Sequence, residues 1–397
     1  ALAARTQVFS EGNLLTVDRR TLSETDFVTQ LFAVPIEVNG AVTVEKIVSF
    51  FTSRDPAIAE CSLEARNTAG SAETFNRLLQ SHTQVWEHLW QRFGIELDNR
   101  SSRHENRIGM IVHLYIFHLL QCTSMNTMSM DLDVGVPARG WHGEAYRGHI
   151  FWDELFIFPM INLRLPEITR ELLMYRYRRL AAARQNARQA GFRGAMFPWQ
   201  SGSSGREESQ QVHLNPKSGR WIADNSQLQR HVNAVIAYNL YQYYQVTDDM
   251  EFMAFYGAEM MLEIARFLAD LTSYNADRDR YEILSVMGPD EYHDAYPDSK
   301  HPGLNNNAYT NIMTVWVLQR AREVLDLLPE DARREVCGNL GLSPEEFRLW
   351  EDICRKMRLV FHGDGIISQF EGYEDLAEFD WDGYREKYND IQPVSYT

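Results

Sequence analysis

The sequence predicts a mainly α-helical protein, a helical barrel entered through a short run of β-strands. Three observations carry this. The first fifty residues alternate apolar and polar positions, or run apolar, as strands do. From about residue 71 the apolar positions recur at helical spacing. The helices so predicted are joined alternately by short turns and by long polar loops, at 137–153, 194–226, 281–307 and 361–376. Loops of that kind, rich in Gly, His, Trp, Asp, Glu and Asn, belong at one end of a barrel, where they can build a site.

Taken in order, Gln30 to Val38 and Val42 to Thr52 read as strands, with Asn39-Gly40 between them as a two-residue hairpin signal. Two strands alone are not a stable domain, so they read as the end of a larger sheet module. Pro166 opens a long basic helix that stops at Gly191. Ser226 and Gln229 have the spacing of a capping box ahead of Val232, Val235 and Ile236. Asp248 and Glu251 open the helix through Phe252, Phe255, Ile264 and Phe267. A further helix runs from about Asn307 to Leu328, and Ser343, Pro344 and Glu346 supply a cap, a first-turn proline and a box partner for the next.

Composition narrows the function classes. The charge is −16, from 39 basic and 55 acidic side chains, which argues against nucleic acid because phosphate backbones need clustered Lys and Arg. A local phosphate-binding pocket remains compatible with that balance. The four cysteines show no CxxC or metal-type spacing, and the expected compartment is the reducing cytoplasm. The longest apolar run, Met110 to Leu120, contains His113 and His118 and is too short and polar to span a bilayer. Ala1 to Ser10 lack the layout of a signal peptide, and without an initiator Met the chain is expected to start inside a longer polypeptide.

Chemistry concentrates in the loops. In Val286-Met287-Gly288-Pro289-Asp290-Glu291-Tyr292-His293 the Gly-Pro turn puts two adjacent carboxyls on irregular backbone, where one can face a site while the other anchors the loop. A carboxyl set against aromatic rings has a raised pKa and can protonate a leaving oxygen. The bland alternative is a pair of surface acids beside a turn. In the segment Arg139 to Asp153, three glycines permit close backbone approach, and Trp152-Asp153 pairs a stacking face with an acceptor for sugar hydroxyls. Here the alternative is a core Trp152 and a helix-start Asp153. His142 and His149 lack a nearby third ligand, so no metal site is expected. The Gly and Ser stretch 202–205 lacks the ending of a nucleotide-binding P-loop.

Five segments together resemble family 65 of the glycoside hydrolases, which contains maltose, trehalose and kojibiose phosphorylases and acid trehalases. They are ARGWHGEAYRGHIFWDELFIFP (138–159), GAMFPWQS (194–201), DNSQLQRHVN (224–233), VMGPDEYH (286–293) and NNAYTN (306–311). The resemblance implies an (α/α)6 barrel over residues 101–397, preceded by the end of a β-sandwich over 1–55 and a helical linker over 56–100, and incomplete at its C-terminal end. It implies Glu291 as general acid, Trp152 and Asp153 as holders of the glucosyl unit, and Trp199 as a further wall of the sugar site. It implies no metal and no organic cofactor. Two departures stand out. Asn305 replaces the acidic residue usual before NNAYTN, and the KQADV-type and phosphate-holding segments expected further along are absent up to Thr397.

The expected activity is inverting phosphorolysis of an α-linked glucose disaccharide, with inorganic phosphate as co-substrate and β-glucose 1-phosphate and glucose as products. A trehalase-like inverting hydrolase is the alternative, since nothing in these residues supplies the nucleophile side. A non-catalytic sugar-binding or partner-packing module is a third reading, and under each of the three the chain alone, without the nucleophile side, is expected to be inactive. Neither nucleic acid nor a membrane is expected as a partner, and a homodimer is left open.

Overall fold

The computed structural model describes residues 1–97, 105–125, 133–140, 146–214, 219–290, 294–297 and 299–388. The chain divides into two compact units, one over Ala1–Ile116 and one over the described residues from Phe117 on.

In the first unit, β1 (Leu2–Ser10) is the middle strand of an antiparallel sheet, with β2 (Asn13–Leu15) on one side and β5 (Val42–Phe50) on the other. β3 (Arg20–Glu24) and β4 (Phe27–Leu31) form a separate hairpin. The expected pairing of 30–38 with 42–52 does not occur. Pro35 interrupts the first run, the Asn39-Gly40 turn forms with Asn39 at φ 67°, and β5 then pairs along its whole length with β1. Helices α1 (Cys61–Ser71) and α2 (Phe75–Phe93) follow, so helical structure begins ten residues earlier than the periodicity indicated. The boundary of the unit falls within α3 (Glu105–Cys122).

The second unit is helical. Its described helices are α4 (Glu154–Asn162), α5 (Pro166–Tyr177), α6 (Leu180–Gln189), α7 (Val232–Thr247), α8 (Met250–Phe252), α9 (Ala258–Asp270), α10 (Ala308–Leu327), α11 (Glu330–Leu340), α12 (Pro344–Lys356) and α13 (Trp381–Tyr388). The pairs β6 (Val212–Leu214) with β7 (Trp221–Ala223), and β8 (Ser273–Asn275) with β9 (Arg280–Glu282), are short hairpins in the loops. α7 packs against α4, α5, α9 and α10, and is buried almost all round, with Val232, Val235, Ile236 and Leu240 at 1% exposure or less. The single basic helix expected from Pro166 is two, because the backbone turns at 178–179 between α5 and α6.

Two helix starts differ from the sequence reading. Ser226 gives its hydroxyl to Asp224 rather than to a helix amide, so the capping box does not form and α7 begins at Val232. Asp248 sits at φ 53° as the left-handed stop of α7, and Asp249 caps the next helix by accepting from the Phe252 amide. The Ser343 cap forms as read, accepting from the Glu346 amide, but the Glu346 carboxylate goes to Arg266 instead of closing a box. Asn307, read only as a helix start, caps its helix by accepting from the Thr310 amide.

Candidate active site

Four segments converge where α4, α7 and α10 begin. The first two are strapped together. Ile150 and Ser201 exchange backbone hydrogen bonds at 2.9 Å each, which fixes Trp152 beside Trp199 with ring centroids 6.0 Å apart. The start of α4 is pinned from below by Arg176, which donates to Glu154 at 2.9 and 3.2 Å and to the Phe151 carbonyl at 2.7 Å. Both partners of that ion pair are 2% exposed at the side chain, so the pair is a rigid anchor rather than a titrating site.

The segment bearing Trp199 is held as closely. Gly194 adopts φ 75° where a side chain would collide with the Glu263 carbonyl and the Phe267 amide, so the loop can lie flat on α9 only with glycine there. Asn233 then exchanges hydrogen bonds with the Phe197 backbone, accepting at 2.7 Å and donating at 3.3 Å. Glu207 accepts from the Trp199 and Gln200 amides at 2.8 and 3.0 Å. Trp199 is thus fixed by its backbone while its ring stays half-buried.

His231 and Tyr309 complete the cluster. The His231 ring lies 5.1 Å from Trp152, 5.2 Å from Trp199 and 5.8 Å from Tyr309, and Tyr309 lies 6.2 Å from Trp152. His231 is fully buried, and neither ring nitrogen has a hydrogen-bond partner among the described residues. Burial pushes its pKa down to about 3, with the nearby Met287 backbone working the other way. At neutral pH it is therefore an uncharged aromatic spacer and no proton donor. Tyr309 is half-buried, and desolvation raises its phenol above the ordinary range.

Asp153 follows Trp152 at the head of α4, yet its side chain caps nothing. It makes no hydrogen bond or ion pair to a side chain among the described residues, and burial raises its pKa. It is a half-buried carboxylate next in the chain to Trp152, without a side-chain partner among the described residues.

The described residues ahead of Glu291 are fixed by backbone bonds. The Met287 amide donates to the Leu228 carbonyl at 3.0 Å, and Val286 exchanges backbone hydrogen bonds with Leu304 at 3.1 and 2.8 Å. Val286, Met287 and Gly288 are buried, and Asp290 is exposed. Glu291 itself lies outside the described residues, as does His142. Of the site residues expected from sequence, Trp152, Asp153 and Trp199 are therefore placed together. His231, Tyr309 and Glu207 were missed as site residues. Two of them lie inside the segments 224–233 and 306–311, where an aromatic side chain at a loop-to-helix junction was the available signal. Among the described residues no three His, Cys, Asp or Glu side chains are grouped to hold a metal ion. No described helix is long and apolar enough to cross a membrane.

Residues 113–397 match the glycosyl hydrolase family 65 central catalytic domain, and residues 1–89 match the family 65 N-terminal domain. The chain belongs to glycosyl hydrolase family 65. An uncharacterized glycosyl hydrolase of Mycobacterium tuberculosis is 47% identical over 392 residues, covering 99% of this chain and 29% of that protein. The trehalose 6-phosphate phosphorylase of Lactococcus lactis is 36% identical, covering 94% of this chain and 46% of its own length. The kojibiose phosphorylase of Halothermothrix orenii is also 36% identical, covering 88% and 45%. The chain thus spans less than half the length of each of these relatives. A solved structure of a kojibiose phosphorylase candidate from the human microbiome superposes with a TM-score of 0.69 at 22% identity, covering 100% of this chain and 50% of that one. The helical unit accordingly has the (α/α)6 architecture of the family.

Proposed function

We propose that the intact protein containing this chain is an inverting α-glucoside phosphorylase. The observation that carries the reading is the cluster of Trp152, Trp199, His231 and Tyr309, with the half-buried Asp153 directly after Trp152 in the chain. Apolar faces with a few unsatisfied polar groups among them suit a pyranose ring, which offers both C–H faces and hydroxyls. The phosphorylases of L. lactis and H. orenii among its relatives favour phosphate over water as the nucleophile.

In this reading Trp152 and Trp199 form a wall against one side of the glucosyl unit and Asp153 accepts from its hydroxyls. Glu291 gives its proton to the glycosidic oxygen as the C1–O bond breaks. A phosphate oxygen attacks C1 from the opposite face, forming β-glucose 1-phosphate and leaving Glu291 to be reprotonated from solvent. Phosphate needs only to be held in line, so a single carboxylic acid suffices, whereas an inverting hydrolase needs a second carboxylate about 6.5–9.5 Å away. No metal and no organic cofactor enters the scheme.

The test is product analysis of the intact protein on kojibiose, trehalose, trehalose 6-phosphate and maltose, with and without inorganic phosphate. β-Glucose 1-phosphate formed only when phosphate is present is the expected result. Free sugar released equally without phosphate makes the protein a hydrolase, and no turnover of any α-glucoside overturns the assignment.

A further inference from the structure

Arg230 has no place in that scheme, although it directly precedes His231. Its backbone is in use: the carbonyl accepts from Asn233 Nδ2 at 3.0 Å. Its guanidinium is half-buried and makes neither an ion pair nor a hydrogen bond to any described residue. The other arginines packed into this unit behave differently, since Arg176, Arg179, Arg184, Arg266 and Arg358 all sit on carboxylates at 2.7–2.9 Å. Burial lowers the Arg230 pKa, and Glu207 is the carboxylate whose field opposes that shift.

Glu207 is not a counter-ion for it. Its two oxygens already receive the Trp199 amide at 2.8 Å, the Gln200 amide at 3.0 Å, and the Ser209 amide and hydroxyl at 3.2 and 2.8 Å. Those donors hold the Glu207 oxygens, so Glu207 acts on Arg230 only through its field and makes no contact with it. A partly desolvated cation without a contacting carboxylate is unfavourable, and an incoming anion relieves it. The planar guanidinium fork matches the paired oxygens of a phosphate group better than any single-point donor.

We propose that Arg230, next in the chain to His231 of the aromatic cluster, forms an anion subsite and takes a phosphate group there. The group comes either from a phosphate ester on the sugar acceptor or from inorganic phosphate. The inference rests on the reading that the cluster binds a glucoside, and it adds a charged partner to an otherwise neutral sugar site.

Calorimetric titration of the intact protein with glucose, glucose 6-phosphate and inorganic phosphate tests it, and does so whether or not any disaccharide is turned over. If the ester is the source, glucose 6-phosphate binds more tightly than glucose, and Arg230→Gln removes that preference with a loss of about 10- to 100-fold, the range for a charged hydrogen bond. If inorganic phosphate is the source, a loss of that size appears with phosphate alone. A folded Arg230→Gln protein that binds both phosphate probes as the parent does overturns the proposal. Should Arg230→Gln not fold, Arg230→Lys carries the decision. Lysine keeps the charge but loses the two-pronged contact, so affinity for one phosphate probe should fall at least about threefold; unchanged affinity for both overturns the idea. Failure of glucose itself to bind, with the phosphate loss at Arg230 intact, would remove the glucoside reading and leave the anion subsite standing.

Discussion

Two clusters of polar and aromatic side chains lie in the helical unit, and they differ in how completely they are satisfied. In the first, Arg266 donates to Glu346 at 2.7 and 3.2 Å, to Glu263 at 2.8 Å and to the Leu340 carbonyl at 3.0 Å. Arg184 adds bonds to Glu263 and Glu259 at 2.7 Å each. Charges alternate through α6, α9 and α12, and the oxygens of Glu263 and Glu346 all have donors. In the second, around Trp152 and Trp199, the ring nitrogens of His231, the carboxylate of Asp153 and the guanidinium of Arg230 have no side-chain partner among the described residues. A buried network that is saturated holds helices together. One left open at the mouths of loops has kept its bonding capacity for something else. The contrast separates scaffold from site without reference to any motif.

The largest expected effect tests the second cluster. Glu291→Gln in the intact protein should lower turnover of natural disaccharides by about 10²- to 10⁴-fold, the usual worth of a general acid. The melting temperature should stay where it is, because Gln is an uncharged isostere of the Glu side chain. Steady-state kinetics beside thermal melting reads both, and retained activity takes the role away from Glu291.

Arg266→Met should do the reverse. It leaves Glu346 and Glu263 short of a donor at 7% and 5% side-chain exposure, and removing one member of such a pair costs about 3–5 kcal/mol. Denaturant unfolding should show the loss, while KM for the glucoside stays unchanged in the fraction that remains folded. If activity per folded molecule drops as far as stability does, the two clusters are coupled and the separation fails.

Sequence legibility follows the same line. Trp152 and Asp153 drew attention because loops dense in glycine, tryptophan and acid are not what a structural connection needs, whereas Trp199 entered only through the resemblance to the family. The Arg184–Glu263–Arg266–Glu346 network could not, because its members are ordinary helix-surface charges whose partners lie about 80 residues away in the chain. Local turn chemistry was read well where a single side chain decides it, as at the Ser343 cap. It was misread where a nearer acceptor competes, as when Asp224 takes the Ser226 hydroxyl. The strand error at 30–38 has a different origin: register is fixed by β1, which the hairpin signal at Asn39-Gly40 does not mention.

A pH titration sharpens the comparison further. Below pH 6.5 an unfolded histidine takes up a proton that the buried His231 ring refuses until about 3. The unfolded state binds more protons across that window, so stability falls as the pH falls, by about 1.4 kcal/mol per unit and roughly 2 kcal/mol between pH 6.5 and 5. His231→Phe, which keeps an aromatic ring between Trp152 and Trp199, should lose that part of the slope. Chemical denaturation of both proteins at several pH values gives the difference directly. Parallel curves would show that His231 protonates freely and is not sealed behind the indoles.

The smallest effect compares two helix caps, one serving each cluster. Asn307 accepts from both the Thr310 amide and hydroxyl at 3.0 Å and donates to the Gln369 carbonyl at 3.2 Å, at the start of α10, two residues before Tyr309. Ser343 accepts from the Glu346 amide at 3.3 Å, at the start of α12. Replacing a cap by alanine costs about 0.5–2 kcal/mol, and the number of bonds lost places Asn307→Ala towards the upper end and Ser343→Ala towards the lower. Activity should separate them more clearly than stability. Loosening the first turn of α10 shifts Tyr309 against Trp152 and His231, so Asn307→Ala should raise KM for the glucoside. Ser343→Ala touches only the saturated network, whose other bonds keep Glu346 in place, and should leave KM unchanged. Equal KM values in the two variants would mean that Tyr309 does not belong to the sugar site, and the aromatic wall would then reduce to Trp152, Trp199 and His231.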